Sequence, residues 1–72
     1  MQYIELGKFI KNKREQNGWK LNKFAIECDV DPAILCRIEN QKQNIKLNVL
    51  EKLARGFGMT PAKFLTEFES KN

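Results

Sequence analysis

Two cysteines, Cys28 and Cys36, are the only thiols in this chain of 72 residues, and the sequence contains no histidine. A structural zinc site normally takes four Cys or His ligands, so two thiols argue against a metal site. Histidine is also the commonest general base, and its absence leaves catalysis without support. A Cys28–Cys36 disulfide is not expected in a reducing compartment. The sequence therefore predicts no catalytic residue, no metal, no cofactor and no enzyme.

The charged residues indicate a different chemistry, which is the binding of a polyanion. Thirteen Lys and Arg residues against nine Asp and Glu give a net charge of +4. The excess is uneven, because residues 1–46 carry a charge of +3 and residues 47–72 carry +1. A basic domain of this kind fits a nucleic-acid partner, although a solubilising surface would have the same net charge.

Arg37 is the residue best suited to recognise a base. Its guanidinium can donate two hydrogen bonds to guanine O6 and N7, worth about 1–3 kcal/mol of discrimination. Asp31 and Pro32 before it are a typical N-cap and first helical residue. Leu35 and Ile38 then recur at i, i+3 on the inward face, which leaves Arg37 on the exposed face. A phosphate contact or a solvated arginine is the alternative interpretation.

Residues 19–41 supply the elements that must position this arginine. Phe24 and Cys28 have the i, i+4 spacing of one short helix, residues 29–31 form a break, and the helix with Arg37 follows. Two short helices joined by so tight a turn cross at a steep angle. This is the helix-turn-helix arrangement, which places one helix in a DNA groove, and we predict it at about residues 21–40.

All predicted elements are helical, so the expected fold class is all-α, with five helices in one domain covering residues 1–72. Gly18 and Gly58 are suited to end helices 1 and 4, and Thr60-Pro61 to begin helix 5. The tail, residues 69–72, is expected to fray. The predicted helices are about 4–17, 21–28, 32–40, 47–57 and 61–68. Helix 4 is expected to bury Leu47, Leu50, Leu53, Ala54 and Phe57.

The sequence gives no sign of a membrane or export segment. No apolar run approaches the ~20 residues that span a bilayer. The N-terminus also lacks the apolar region of a signal peptide. We expect a cytoplasmic protein without a membrane partner.

With these elements in place, the sequence resembles the lambda repressor-like family of DNA-binding domains, the Cro/C1-type (XRE-like) helix-turn-helix. The resemblance runs from Leu6-Gly7-Lys8 to Phe64-Leu65. Its most specific marks are Arg14, Phe24-Ala25, Val30, Arg37-Ile38-Glu39, Leu53-Ala54 and Phe57-Gly58. The resemblance implies an ion pair between Arg14 and Glu39, for which the forked guanidinium is suited because it can grip a carboxylate with two bonds. Two independent surface charges are the alternative.

Three residues of the expected DNA-contacting surface depart from the family pattern. Leu21 stands where helix 2 usually begins with a Gln that holds a phosphate, and Pro32 and Ala33 stand where Gln or Ser is common among the base-reading residues. Pro32 and Ala33 cannot form bidentate bonds to a base, although they can touch a thymine methyl. Polar base reading therefore falls mainly to Arg37.

Two turns also depart from the family pattern. Asp29 and Gln41 occupy positions at which the family usually has glycine. At Gln41 the left-handed backbone is expected to cost more than it would with glycine.

Polar residues on either side of the predicted recognition helix are candidates for phosphate contacts. They share a position in the first turn of helix 2 or in the segment after helix 3, and are Lys20, Lys23, Asn40, Lys42, Asn44 and Lys46. For each alone, a solvated side chain is the alternative. Trp19 is interpreted as a core or hinge residue rather than a base-stacking one. Cys28 is interpreted as a small core residue.

Helix 5 carries the predicted dimer interface. Phe64, Leu65 and Phe68 look like too many large apolar side chains for a five-helix domain to bury alone. Covering apolar surface gains about 25 cal/mol per Å², so this helix, 61–68, is expected to mediate a homodimer. The alternative is that Phe64 and Leu65 complete the core and Phe68 stays exposed.

Together these features predict a sequence-specific transcriptional regulator that binds a pseudo-palindromic operator in double-stranded DNA as a homodimer. Its size suggests a stand-alone regulator, such as a Cro-like phage protein, a restriction-modification controller or an antitoxin. The alternative is a protein-interaction module that keeps the fold with weakened DNA reading, which Leu21, Pro32 and Ala33 would favour. A DNA reader would bind duplex with an affinity that falls steeply as salt rises.

Overall fold

The structure, a computed structural model, describes residues 4–70 as five α-helices without a β-strand in that range. The all-α fold with five helices is as the sequence predicted, and most helix ends agree within one residue. Helix α5 continues to Ser70, so the expectation that Glu69 and Ser70 fray is wrong; Lys71 and Asn72 lie outside the described residues. The helices are α1 Ile4–Gln16, α2 Leu21–Glu27, α3 Pro32–Glu39, α4 Leu47–Gly56 and α5 Pro61–Ser70.

Side-chain caps fix the starts of α3 and α5. The Asp31 carboxylate accepts a hydrogen bond from the Ala33 backbone N–H at 2.8 Å, and Pro32 occupies the first turn. The Thr60 hydroxyl oxygen accepts from the Lys63 N–H at 3.2 Å. Each cap satisfies an N–H group that has no partner inside its helix. These local contacts explain why both starts could be predicted from the sequence.

The ends of α1 to α4 share one backbone motif, in which a residue with positive φ turns the chain out of the helix. Gly18 and Gly58 adopt φ of 72° and 75°, whereas Asp29 and Gln41 adopt 60° and 62°. After Gln41, the Lys42 N–H donates to the Arg37 carbonyl at 2.8 Å, closing a Schellman-type turn. Two of the four turns are therefore built without glycine, at a cost of about 1 kcal/mol each.

The core corrects the expectation for helix 5. Phe64 and Phe68 are 0% and 1% exposed, so they are core residues and supply no free surface for pairing. The Phe9 ring of α1 lies 5.4 Å from each of their rings, and the Phe57 ring stacks on Phe64 at 5.7 Å. The prediction of surplus apolar side chains is wrong because the Phe9 ring of α1 and the Phe57 ring just after α4 cover them. Leu65 is half-buried.

Helix α4 differs from expectation at its first residue. Leu50, Leu53 and Ala54 are buried and Phe57 is half-buried, but Leu47 is 72% exposed. Leu47 begins the helix one turn before Leu50, so the apolar stripe of α4 continues past the edge of the core. Its expected burial is therefore wrong.

A close contact between α1 and α3 holds the third helix in place. A Cβ atom added at Gly7 would lie 1.9 Å from the Ile38 carbonyl oxygen, which is far inside van der Waals contact. Only glycine lets α1 approach the α3 backbone so closely. The opposite end of the chain has a similar contact, since a Cβ at Gly56 would lie 2.2 Å from Cys28 Sγ.

Candidate nucleic-acid interface

Helix α3 presents one face to solvent and the other to the core. Leu35 and Ile38 are buried on the inward face. The exposed residues Ala33, Cys36, Arg37 and Asn40 have i, i+3, i+4, i+7 spacing, and Pro32 beside them is half-buried. The three residues expected to read bases, Pro32, Ala33 and Arg37, therefore lie on or next to a single stripe. Sequence reasoning left Cys36 out of this stripe, although the spacing alone would have included it.

Arg37 is the charged group of this stripe. Its side chain is exposed and has no hydrogen bond or ion pair with any residue in the described range 4–70. An arginine that is not neutralised by its own chain keeps all five donors for another molecule. It can therefore serve either a base edge or a phosphate.

The structure brings Arg14 and Glu39 together as a bidentate ion pair behind α3. Arg14 Nε lies 2.8 Å from Glu39 Oε2, and Arg14 Nη2 lies 3.0 Å from Glu39 Oε1. Both side chains are buried, with exposed fractions of 8% and 2%. The hydrogen bond to Glu39 raises the pKa of the Arg14 guanidinium above its ordinary value. The pair ties α1 to the last residue of α3.

Arg14 makes a third hydrogen bond, which the sequence did not reveal. Its Nη1 donates to the Trp19 carbonyl oxygen at 2.6 Å, just before α2 begins. One guanidinium therefore contacts α3 and the α1–α2 turn at once. No sequence pattern marks this bond, because the acceptor is a backbone oxygen that any residue would offer.

Two of the predicted phosphate contacts lie together at the start of α2. Lys20 is the N-cap residue of α2, and no side chain caps that end. Lys20 and Lys23 are both exposed and line a cavity of about 420 Å³ together with Trp19. Trp19 is 39% exposed, and its ring stacks on Phe24 at 5.3 Å and on Phe57 at 5.8 Å. Trp19 therefore covers the edge of the core, in keeping with its interpretation as a core or hinge residue.

Three further phosphate candidates lie after α3. Lys42 and Asn44 are exposed and line a cavity of about 580 Å³ with Gly7 and Ile38. Lys46 is exposed at the N-cap position of α4, which also lacks a side-chain cap. Lys42 and Asn44 line a different cavity from Lys20 and Lys23, so these candidates fall into two separate groups.

Asn40, the remaining phosphate candidate, differs from the others because its side chain folds back onto α3. Its Nδ2 donates to the Cys36 carbonyl oxygen at 2.9 Å and lies 3.3 Å from Cys36 Sγ. The thiols of Cys28 and Cys36 are both free, with the former buried and the latter exposed. Within residues 4–70, no group of three or more potential metal ligands is found.

Comparison with known proteins agrees with this geometry. The model of a helix-turn-helix family matches residues 10–64. The chain belongs to the Cro/C1-type helix-turn-helix family. It is also 31% identical, over 64 residues, to a protein named control protein C.MunI from Mycoplasma sp., covering 89% of this chain and 86% of that protein. No solved structure matches the chain.

Family membership confirms the resemblance and gives the general role of the protein. The protein is a DNA-binding transcriptional regulator of the Cro/C1 type. In this family the third helix is the second helix of the helix-turn-helix, the one that enters the major groove. Among the described residues, no helix has both the length and the apolar character needed to cross a membrane.

Proposed function

We propose that the protein binds a pseudo-palindromic operator sequence-specifically as a homodimer, with α3 of each copy in a major groove. The observation that carries this proposal is Arg37, an exposed guanidinium without a partner in the described chain. It lies on a helix that the buried Arg14–Glu39 pair anchors from behind. Guanine O6 and N7 are the base edge that an arginine fork fits best. Ala33 adds apolar surface suited to a thymine methyl.

The two groups of polar residues would bind phosphates on either side of the bases that α3 reads. Lys20 and Lys23 form one group, and Lys42 and Asn44 form the other, which exposed Lys46 follows in the chain. Phosphate contacts fix the register of a protein on DNA without selecting sequence. A regulator that acts on DNA would work in the cytoplasm, where a bacterial or phage operator is found.

Pairing of two copies would make the readout selective. One α3 with a single strong polar reader covers only a few base pairs, which is too little against the competing sites of a genome. Two-fold pairing doubles the contacts and sets the half-sites about 34 Å apart. We place the interface on α4 and α5, with Leu65 at its centre instead of the buried Phe64 and Phe68. Leu65, Val49 and Met59 are half-buried apolar side chains at the edge of the core.

Selection of bound duplexes from a random pool tests the operator proposal. We expect an inverted repeat in which each half contains a guanine that depends on Arg37. Arg37→Ala should abolish the preference for the selected duplex over a scrambled one and leave residual duplex binding. Arg55→Ala is the matched control, because Arg55 is an exposed arginine of α4 outside the α3 stripe. If the affinities for the selected and the scrambled duplex fall equally, Arg37 contacts only a phosphate.

Sedimentation tests the dimer. Leu65→Glu should give a folded monomer with weakened operator binding, while Thr66→Glu, at an exposed neighbouring position, should leave the dimer intact. Phe68→Glu is not a usable interface variant, because it would place a charge at a position 1% exposed and unfold the domain. A parent chain that stays monomeric at tens of micromolar, or a Leu65→Glu dimer, would overturn this interface.

A protein-interaction module is the second candidate, favoured by Leu21, Pro32 and Ala33. None of these three side chains can donate a hydrogen bond to DNA, although they lie at the starts of α2 and α3. The salt response separates the two functions. A DNA reader loses affinity steeply with rising salt, whereas an interaction module would bind duplex weakly at any salt concentration.

A further inference from the structure

The first turn of α3 offers no side-chain hydrogen-bond donor. Residues 32–35 are proline, alanine, isoleucine and leucine, whose side chains carry no polar atom. The backbone adds little, because Pro32 has no N–H and the Ala33 N–H already donates to Asp31 Oδ1 at 2.8 Å. This turn therefore cannot recognise a base by donating a hydrogen bond from a side chain.

The apolar atoms of this turn are accessible at Ala33. Ala33 is exposed, whereas Pro32 and Ile34 on either side of it are half-buried. Ile34 packs against the core, and so does Leu21, the half-buried first residue of α2. The Ala33 methyl group therefore projects from a surface whose other apolar side chains are partly covered by the protein itself.

The position of this turn suits base contact. In a helix-turn-helix protein the N-terminal residues of the recognition helix contact the base edges. Ala33 and Arg37 have i, i+4 spacing, so they lie on one face of α3, about 6 Å apart along its axis. Adjacent base pairs are about 3.4 Å apart, so the base that Ala33 meets lies within about two base pairs of the one that Arg37 meets.

The C5 methyl group is the apolar feature of a pyrimidine edge in the major groove. Thymine carries it beside the acceptor O4. 5-Methylcytosine carries the same methyl group on the same ring atom, with an amino group in place of O4. Telling these two bases apart requires a donor to O4 or an acceptor for the amino group, and the side chains of residues 32–35 provide neither. A contact made by these side chains would treat both bases alike, and unmethylated cytosine would lack it.

We propose that the first turn of α3 recognises a pyrimidine by its C5 methyl group, so that it accepts 5-methylcytosine as well as thymine. Ala33, with Pro32 beside it, makes the contact within about two base pairs of the guanine that Arg37 reads. The proposal rests on the operator-binding function above. It makes methylation of cytosine at C5 a determinant of affinity, and burial of one methyl group is expected to change the affinity about fourfold.

Duplexes that differ only in a methyl group test the contact with the full-length protein. The operator is first obtained by selection, and each pyrimidine near the Arg37-dependent guanine is then varied. At one of these positions thymine should bind about fourfold more tightly than uracil, which lacks only the methyl group. When that position holds a C·G pair instead, 5-methylcytosine should bind about fourfold more tightly than cytosine.

A pair of matched variants assigns the contact to Ala33. Ala33→Gly removes the exposed methyl group and should lower both affinity ratios to about twofold or less, while the preference for the Arg37-dependent guanine remains. Ala62→Gly is the control, because α5 begins with Pro61-Ala62 as α3 begins with Pro32-Ala33, and Ala62 is also exposed. It makes the same change at the same helix position and should keep both ratios at about fourfold.

Equal affinities in both DNA comparisons, or the same ratios in the parent and in Ala33→Gly, would overturn methyl recognition while the operator function stands. A penalty for uracil without a gain from 5-methylcytosine would overturn the equivalence of the two pyrimidines. Failure of the parent to enrich any duplex would overturn the operator function and this proposal with it.

Discussion

Removal of one partner from the Arg14–Glu39 pair should destabilise the domain strongly. Both side chains are at least nine-tenths buried and share two hydrogen bonds, of 2.8 and 3.0 Å. Arg14→Met leaves the Glu39 carboxylate without its cation, at a cost of about 3–5 kcal/mol for a buried pair. A domain of this size has a free energy of unfolding of only about 4–11 kcal/mol. A loss near 4 kcal/mol should therefore lower Tm by roughly 15–30 °C.

The two single variants should differ, because Arg14 has a partner that Glu39 does not share. Arg14→Met also removes the donor to the Trp19 carbonyl, which adds about 1 kcal/mol. In Glu39→Leu that 2.6 Å bond can persist, so the remaining guanidinium keeps one acceptor. We therefore expect Arg14→Met to be the less stable single variant.

The double variant Arg14→Met/Glu39→Leu should recover much of the loss, since replacing both charges with apolar groups leaves neither one unpaired. Thermal melts of the parent, both single variants and the double variant give the four Tm values of a double-mutant cycle. Arg55→Met is the surface control, because the Arg55–Glu51 pair is exposed and 4.0 Å long and should contribute less than about 1 kcal/mol. This reasoning would be refuted if the loss of stability in the double variant equalled the sum of the losses in the two single variants. A Tm for Arg14→Met equal to that of Arg55→Met would refute it as well.

Three further predictions follow from the backbone contacts and the buried thiol. Gly7→Ala should lower Tm by more than 10 °C in a thermal melt because its Cβ would meet the α3 backbone at 1.9 Å, whereas Lys8→Ala at the next, exposed position should melt like the parent. Gln41→Gly should raise the free energy of unfolding in urea by about 1 kcal/mol, because φ of 62° suits glycine, and no gain would contradict a strained turn. Burial raises the pKa of the Cys28 thiol from 9.0 to about 11. Unfolded chains lose this proton first, so stability present below pH 9 should fall by about 2–3 kcal/mol towards pH 11, and urea titrations of Cys28→Ala should lack this component.

The sequence by itself determined the helices and most of their boundaries, because the signals are local. Pro32 and Pro61 each follow a capping residue, and Gly18 and Gly58 take the positive φ that ends a helix. A cap or a turn depends on residues a few positions apart, so it can be read without knowing the fold. The inward placement of Leu35 and Ile38, and hence the exposure of Arg37, follows from helical spacing in the same way.

Tertiary structure decided what the helix patterns left open, namely which apolar residues are covered and which polar groups meet. Spacing alone did not distinguish Phe68, buried beneath the Phe9 ring, from Leu47, exposed at the edge of the core. The Arg14–Glu39 pair joins residues 25 positions apart, so its two hydrogen bonds depend on how α1 and α3 pack. Such contacts arise from three-dimensional packing, which no single stretch of sequence encodes.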